Sequence, residues 1–192
     1  SILNRCPENR VHIILVAQIN PHFICNTLNS VIYRAQSLHE VELARTLRSF
    51  ISILQVTMNI EDKICSVEQE ITFINHYIEV LQFRYQFLQP VVWKVDPAAE
   101  QLRIPRMLIY PIVENSVFHG LLPKRQGGIS VEIQQSGGKI AIAVTDNGVG
   151  MRPEKLEALK AHIASEEPSK QKRSIGMQNV NRRLQINGGE EK

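Results

Sequence analysis

The spacing of apolar residues predicts helices over the first ninety residues of the chain. An apolar-rich segment runs from Val11 to Ser37 and is interrupted at Asn20-Pro21. Either one long helix kinks at Pro21, or Asn20 caps a new helix whose first residue is Pro21. A second helix is expected from Glu40 to Met58. Its apolar residues at helical spacing are Leu43, Leu47, Phe50, Ile51 and Leu54.

A third helix is predicted to begin after Ser66. The sequence Ser66-Val-Glu-Gln69 is a capping-box pattern, in which a serine and a glutamine side chain satisfy each other's backbone amides. Apolar residues continue along one stripe, and the helix is expected to end near Tyr85. Such stripes must be buried, and a helical hairpin that dimerises into a four-helix bundle would bury them.

After Pro90 the pattern changes and predicts strands as well as helices. Residues 91–95 are typical of a strand, and Pro105 is expected to open a helix that runs to Phe118. Residues 129–135 and 139–145 alternate apolar and polar positions on either side of two glycines, which is typical of a hairpin.

Two shorter helices are predicted towards the end of the chain, at residues 153–162 and 178–186, with a polar stretch at 164–174 between them. The chain as a whole is therefore predicted to be α+β. Residues 1–90 would form a helical domain, and residues 91–192 a second domain that contains the strands.

The composition narrows the class of protein. Of 192 residues, 43% are hydrophobic and 21% charged, which is ordinary for a globular protein. The three cysteines form no Cys-x-x-Cys pair, so the sequence predicts no zinc site. The net charge of +3 is too small for the basic stripe of a nucleic-acid binder, and no nucleic-acid partner is expected.

His22 is the first candidate for chemistry. It follows Pro21 in an apolar helical segment, and Gln18 and Asn26 lie four residues on either side, so the three share one helix face. A lone histidine in such a segment is usually a packed core residue. A neutral imidazole is nonetheless a competent nucleophile near pH 7.

A second set of signals, about a hundred residues later, predicts a nucleotide pocket. The sequence Asp146-Asn-Gly-Val-Gly150 follows a strand, where a carboxylate could accept a hydrogen bond from the adenine amine and glycines let the backbone approach a base. Asn115 lies mid-helix, where an amide oxygen can ligate Mg²⁺, and His119 is four residues on. Gly176 precedes a helix, where phosphates bind favourably. Each motif alone has an ordinary explanation, but their order favours a pocket.

These motifs together resemble the cytoplasmic kinase core of a LytS/YesM-type sensor histidine kinase. Residues Gln18 to Asn29 are similar to the phosphoacceptor box of that family. Residues Ile104 to Gly120 resemble its N box, Asp146 to Gly150 its first glycine box, and Ser174 to Leu184 its second. The resemblance extends from about residue 15 to residue 187.

The resemblance implies a helical hairpin for dimerisation and phosphotransfer, followed by a Bergerat-type α/β sandwich with ATP and Mg²⁺ as cofactors. It implies phosphorylation of His22 and onward transfer to an aspartate of a response regulator. Asn115 would ligate Mg²⁺, Asp146 would bind adenine, and residues 164–174 would form the ATP lid. The remaining nucleotide-binding residues would be His119, Gly148, Gly150, Gly176 and Met177.

The resemblance also implies a homodimer and a membrane-anchored full-length protein of which this chain is a cytoplasmic portion. Many histidine kinases place an acidic residue directly after the histidine, whereas this chain has Phe23. Gln18, Asn26 and Glu114 are therefore the candidates for accepting a proton or orienting the imidazole. Asn26 is also a candidate for positioning a water in dephosphorylation.

Three further residues depart from the family pattern: Tyr110 stands at a usual glutamine, Phe118 at a usual lysine and Ser174 at a usual glycine. The ATP domain of the family continues through two more strands, so the sandwich is expected to be incomplete at Lys192. These departures leave open a dimeric module that binds nucleotide but signals by conformation alone. An ATPase of the same superfamily is a third interpretation, but it would have no use for the box around His22.

Overall fold

The computed structural model describes residues 21–58, 63–137, 139–154 and 156–157. It divides into two compact units, Ser1–Asn59 and Ile60–Lys192. Predictions for Gln18, Gly176, Met177, the 164–174 stretch and the last helix lie outside the described residues, as does the choice between the two interpretations of Asn20. No helix among the described residues is long and apolar enough to cross a membrane.

The described part of the first unit is a helical hairpin. Helix α1 spans Pro21–Ser37 and helix α2 spans Val41–Met58, so the predicted second helix is confirmed. The short connection turns at His39, whose positive φ of 60° breaks the helical path. The two helices bury a small apolar core made of Ile32, Ala35, Ala44 and Ile51, with Cys25, Leu28, Leu43 and Leu47 packed against it.

The second unit begins with a strand and the predicted third helix. Strand β1 spans Ile64–Ser66 and helix α3 spans Val67–Arg84. The capping box is present: the Ser66 hydroxyl oxygen accepts from the backbone N–H of Gln69 at 3.1 Å, and the Gln69 side chain accepts from the Ser66 N–H at 2.9 Å. The helix ends at Tyr85, as the sequence predicted.

The helix predicted from Pro105 to Phe118 begins five residues late. Arg103–Pro105 form strand β3, which pairs antiparallel with β1 through Cys65 and Ile104. A strand of three residues has no periodicity to detect, and its partner lies about forty residues earlier in the chain. Pro105, at the end of β3, has no backbone N–H to donate, and the short pairing of β1 with β3 does not need a donor at that position.

A three-stranded sheet follows, formed by β2 (Val92–Val95), β4 (Ile129–Ser136) and β5 (Lys139–Asp146). The order is β2-β4-β5, with β2 parallel and β5 antiparallel to the central strand. The predicted hairpin is confirmed, and Gly137 has the positive φ of 58° that its tight turn needs. The inward face of β4 is fully buried at Ile129, Val131 and Ile133.

One continuous helical segment carries the residues of the predicted N box. It consists of α4 (Tyr110–Asn115), a π-helical stretch (Ser116–Leu121) and α5 (Leu122–Lys124), and it ends at Arg125 with φ 54°. Val113, Val117 and Leu121 are completely buried. This buried stripe fixes the rotation of the segment about its axis, and therefore which face is turned to the candidate nucleotide site described below.

The boundary between the two compact units lies between Asn59 and Ile60, whereas the sequence predicted a domain boundary near residue 90. Helix α3 belongs to the second unit, because the adjacent strand β1 pairs with β3 and residues of α3 contact the loop before α4. The α+β class is confirmed, and the domain boundary near residue 90 stays a prediction.

Candidate nucleotide and phosphoacceptor sites

Asp146 is the last residue of β5 and opens a tight turn. Its Oδ1 accepts a hydrogen bond from the Gly148 N–H at 3.0 Å, so the side chain folds over its own turn. The residue is half-buried. An ionised carboxylate has about four acceptor sites, so it can accept a further N–H, such as the exocyclic amine of adenine.

Two glycines bring this turn against the helical segment. The Val149 N–H donates to the Gly120 carbonyl at 3.0 Å, and a Cβ placed on Gly148 would overlap the backbone of Gly120. A Cβ placed on Gly120 would lie 2.6 Å from Asp146 Oδ1. A side chain at Gly120 would therefore displace the Asp146 carboxylate, whereas one at Gly148 would meet backbone that cannot move aside. The sequence analysis missed the role of Gly120, although a glycine inside a helical pattern is the signal that could have found it.

Asn147 anchors the same turn to the end of the helical segment. Its Oδ1 accepts from the Gly128 N–H at 2.8 Å, and its backbone carbonyl accepts from Lys124 Nζ at 2.8 Å. Gly150 has φ +68° with open space around it, so glycine is favoured there by the backbone conformation alone. The turn is thus fixed on both sides and prepared before any ligand binds.

The predicted N-box residues lie where the helix changes its winding. Asn115 is the last residue of α4, and the π-helical stretch begins at Ser116. The Leu122 N–H donates to the Val117 carbonyl, five residues back, which widens the turn. The prediction that His119 lies on the face of Asn115 assumed a regular α-helix, and His119 lies within the π-helical stretch, so its position relative to Asn115 stays a prediction. Such π segments are frequent at functional sites.

Glu114, a candidate proton acceptor, is held by a neighbour on the same helix. The Tyr110 hydroxyl donates to Glu114 Oε1 at 2.9 Å. Burial, reinforced by that hydrogen bond and the carboxylate charge, raises the pKa of Tyr110 to about 12. The hydroxyl therefore remains a donor at every pH at which the protein works.

The start of the helical segment is held by a buried acidic residue of α3. Glu70 is 2% exposed, and its carboxylate accepts from the backbone N–H groups of Met107 at 2.8 Å, Ile109 at 3.0 Å and Tyr110 at 3.2 Å. Cys65 adds a longer contact of 3.7 Å. Burial, followed by the charge of Glu70, raises the pKa of the Cys65 thiol to about 11.

His22 lies on an exposed face of α1, in the first unit. The Asn26 Nδ2 is 3.2 Å from His22 Nδ1, which confirms that the two side chains share a helix face. Phe23, directly after the histidine, is 66% exposed. The amide contact fixes the orientation of the imidazole ring through one of its two nitrogens.

Comparison with known proteins decides the family. Residues 13–87 match the family described as "Histidine kinase", and residues 100–191 match the family described as "Histidine kinase-, DNA gyrase B-, and HSP90-like ATPase". The chain belongs to the histidine kinase family and is similar to the sensor histidine kinases YesM and LytS. The two matches place His22 in the first region and Asp146 in the second.

Curated relatives support this assignment. The chain is 28% identical to the sensor histidine kinase YesM of Bacillus subtilis (strain 168) over 92% of its own length, and 32% identical to the sensor histidine kinase YpdA of Escherichia coli (strain K12), again over 92%. It spans only 29% and 30% of the length of these relatives. A histidine kinase domain from the Erythrobacter litoralis EL346 blue-light activated histidine kinase is structurally similar, with a TM-score of 0.44 and 16% identity, covering 83% of this chain and 75% of that one.

The histidine kinase family gives the pocket its class of ligand, because the second region belongs to an ATP-binding family. The structure brings Asp146 and Gly148 together with the helical segment of Glu114 and Asn115 through Gly120. The two glycines serve the close packing of the turn on the helical segment, and the acceptor sites that remain on the Asp146 carboxylate fit the exocyclic amine of adenine. A shallow groove between β2 and β4, lined by Lys94, Asp96 and Glu132, lies at the opposite end of the sheet from Asp146.

Proposed function

We propose that this kinase region transfers the γ-phosphoryl group of ATP to His22 and then passes it to an aspartate of a response regulator. The observation that carries the proposal is the oriented imidazole of His22, exposed on α1 with Nδ1 next to Asn26 at 3.2 Å. The same chain matches an ATPase family over residues 100–191, a region that contains the turn at Asp146.

The contact to Asn26 selects the nitrogen that reacts. Since Nδ1 is engaged, Nε2 would be the nucleophile, and Nδ1 would carry the proton towards the amide oxygen of Asn26. Rotating the amide by 180° exchanges its oxygen and nitrogen and gives this arrangement. A bond forms between Nε2 and the γ-phosphorus while the bond to the bridging oxygen breaks, and ADP leaves with that electron pair.

The product then loses the Nδ1 proton, which leaves the imidazole ring of the phosphohistidine uncharged. An amide cannot accept this proton, because it has no basic site near neutral pH. Of the predicted candidates Gln18, Asn26 and Glu114, only Glu114 is a carboxylate. We therefore assign proton acceptance to Glu114 and orientation of the imidazole to Asn26, with Gln18 as a second orienting residue.

The nucleotide would be held by the residues of the second unit. Asp146 would accept from the adenine amine, while Gly148 and Gly150, with Gly176, Met177 and His119, would shape the pocket. Mg²⁺, when bound, would neutralise charge on the phosphates, and Asn115 would give it one amide oxygen, a donor that this hard ion accepts. Phe118 is 40% exposed and gives the phosphates no charge.

We infer that the partner proteins are a second copy of this chain and a response regulator, as in the family. Apolar side chains exposed on the helical hairpin support self-association: Phe23 is 66% exposed, Tyr33 73% and Val41 75%. The resemblance to the family also favours a membrane-anchored full-length protein with this region on the cytoplasmic side.

The test is transfer of label from γ-labelled ATP with Mg²⁺ to the full-length protein. Acid-labile, base-stable label is expected on the wild type and is expected to be lost in His22→Ala and Asn115→Ala. His76→Gln, on an unrelated face of α3, is the matched control and should keep the label. Nucleotide binding without label on the wild type would contradict the proposal and favour a module that signals by conformation alone.

The role of Asn26 is tested separately. Besides orienting the imidazole, Asn26 is proposed to position a water for hydrolysis of the phosphohistidine. Asn26→Ala should slow both the labelling of His22 and the loss of label after ATP is removed, and unchanged dephosphorylation would rule out the second role. Asn29→Ala, on the same helix but not in contact with His22, is the control.

A further inference from the structure

Glu114 is held by Tyr110 of the same helix, and Tyr110 is in turn held by residues of α3. Tyr110, the hydrogen-bond donor to Glu114, lies between two aromatic side chains of α3. The Tyr110 ring makes edge-to-face contacts with Phe73, with centroids 5.4 Å apart, and with Tyr77, with centroids 4.9 Å apart. Such contacts stabilise one ring orientation, and the hydroxyl therefore points at Glu114 in a fixed direction.

The backbone of Tyr110 is held by the same helix. Its N–H donates to Glu70 Oε1, which also accepts from Ile109. Glu70, Phe73 and Tyr77 lie three and four residues apart, so they share one face of α3. That face therefore fixes both the backbone and the ring of Tyr110.

We propose that Tyr110 is a positioning residue for the proton acceptor of this kinase, and that α3 holds the Glu114 carboxylate in its working orientation through the Tyr110 hydroxyl. The inference rests on the proposed function, in which Glu114 accepts a proton during phosphoryl transfer.

The chemistry explains why the orientation matters. A carboxylate without a second contact samples several rotamers, and a proton acceptor misplaced by about 1 Å can slow a reaction by about a hundredfold. The hydrogen bond from Tyr110 occupies one oxygen, Oε1, and leaves Oε2 as the oxygen that would accept the proton. Tyr110 itself does not touch the nucleotide or the histidine in this scheme.

The experiment measures autophosphorylation rate, nucleotide affinity and thermal unfolding of the full-length protein. Tyr110→Phe removes only the hydroxyl and keeps the aromatic contacts. It is expected to lower the maximal rate about tenfold while the affinity for a fluorescent ATP analogue and the melting temperature stay unchanged. Tyr85→Phe, at the tyrosine that follows α3 and whose ring contacts Phe87, is the matched control and should behave as the wild type.

Two further variants separate a positioning role from a structural one. In a Glu114→Gln background, Tyr110→Phe should cause no further loss, because the carboxylate it orients is gone. Tyr110→Gln should retain more activity than Tyr110→Phe, since an amide can donate to Glu114 although it loses the aromatic contacts. Additive losses, a lower nucleotide affinity in Tyr110→Phe, or a more active phenylalanine than glutamine variant would each overturn the inference.

The outcomes distinguish this inference from the proposed function. A wild type that is never labelled would contradict the function itself. A labelled wild type with an equally active Tyr110→Phe variant would overturn only the role of Tyr110. A fully active Glu114→Gln variant would remove Glu114 from the mechanism, and the inference with it, while phosphorylation of His22 stands.

Discussion

At the scale of single residues, the candidate nucleotide site depends on two glycines, which have no side chain. Gly120 and Gly148 come from a helix and from a turn after a strand, and their backbones touch where any Cβ would intrude. This contact lets Asp146 lie against the helical segment. The Val149 side chain in the same turn is exposed and imposes no such constraint, although its backbone N–H donates to the Gly120 carbonyl.

Gly148→Ala is expected to weaken nucleotide binding at least tenfold, because the new Cβ meets the Gly120 backbone and neither can move without breaking the turn. The free energy of unfolding should also fall, by about 1–3 kcal/mol. A fluorescent ATP analogue and urea denaturation measure the two effects.

Gly128→Ala is the matched control, since a Cβ there meets only the Gln89 side chain at 3.7 Å. Its unfolding free energy should stay within about 0.5 kcal/mol of wild type. Equal behaviour of the two variants would mean that the close approach of Gly148 and Gly120 is not needed.

At the scale of elements, α3 is the support on which the helical segment is built. Its first turn is fixed by the capping box at Ser66. The buried carboxylate of Glu70 accepts hydrogen bonds from three backbone N–H groups at the start of the helical segment. Met107, within that group, has a positive φ of 56°, a conformation that a side chain rarely adopts. The hydrogen bond from its N–H to Glu70 helps to hold it.

Glu70→Ala should lower the free energy of unfolding by about 3 kcal/mol or more, because one buried and two partly buried N–H groups lose their acceptor. Glu68→Ala removes an exposed carboxylate of the same helical turn, whose side chain accepts from Gln101 at 3.0 Å, and should cost less than about 1 kcal/mol. Urea denaturation of both variants measures the difference. Equal losses would mean that Glu70 is not the anchor of this loop.

Ser66→Ala tests the start of the same helix. The variant loses the acceptor for the Gln69 N–H and should destabilise the second unit by about 1 kcal/mol. Ser66→Asp retains a capping oxygen and should recover most of the loss. A stable alanine variant would show that the tertiary contacts of α3 fix the helix start without the cap.

At the scale of the whole molecule, the two units have separate buried cores, and the ionisable groups buried in the second make its stability depend on pH. Burial raises the pKa of the Cys65 thiol from 9.0 to about 11, and Tyr110 and Tyr77 shift in the same direction. A raised pKa means that the folded state keeps a proton that the unfolded chain releases. The contribution of these groups to the free energy of unfolding is therefore fully present below about pH 9 and is lost as the pH rises towards 11.

Cys65→Ala removes the contribution of the thiol to this alkaline loss. The variant is expected to be less stable than wild type at pH 7, because it loses packed volume, and the gap should narrow between pH 9 and pH 11. Urea denaturation of both proteins at intervals of half a pH unit, from pH 7 to 10.5, measures the difference between their free energies of unfolding. Parallel stability curves for the two proteins would contradict the protonated buried thiol.

Features set by neighbours in the chain could be predicted from the sequence. The bounds of α2 and α3, the capping box at Ser66 and the β4–β5 hairpin follow from periodicity and turn chemistry over a few residues. The His22–Asn26 contact was also predictable, because four residues make one helical turn. The short strands β1 and β3 were not, since three residues carry no period.

The sequence by itself therefore determined helices α2 and α3, the hairpin, the family motifs and the candidates His22, Asn115 and Asp146. Only the tertiary structure decided that Glu70 binds the loop 37 to 40 residues later, that Tyr110 is held between two aromatic rings of α3, and that Gly120 meets Gly148. The reason is physical: a local pattern reflects forces between residues close in the chain, whereas these contacts join distant segments and depend on shape and on which polar groups remain without a partner when the chain is packed.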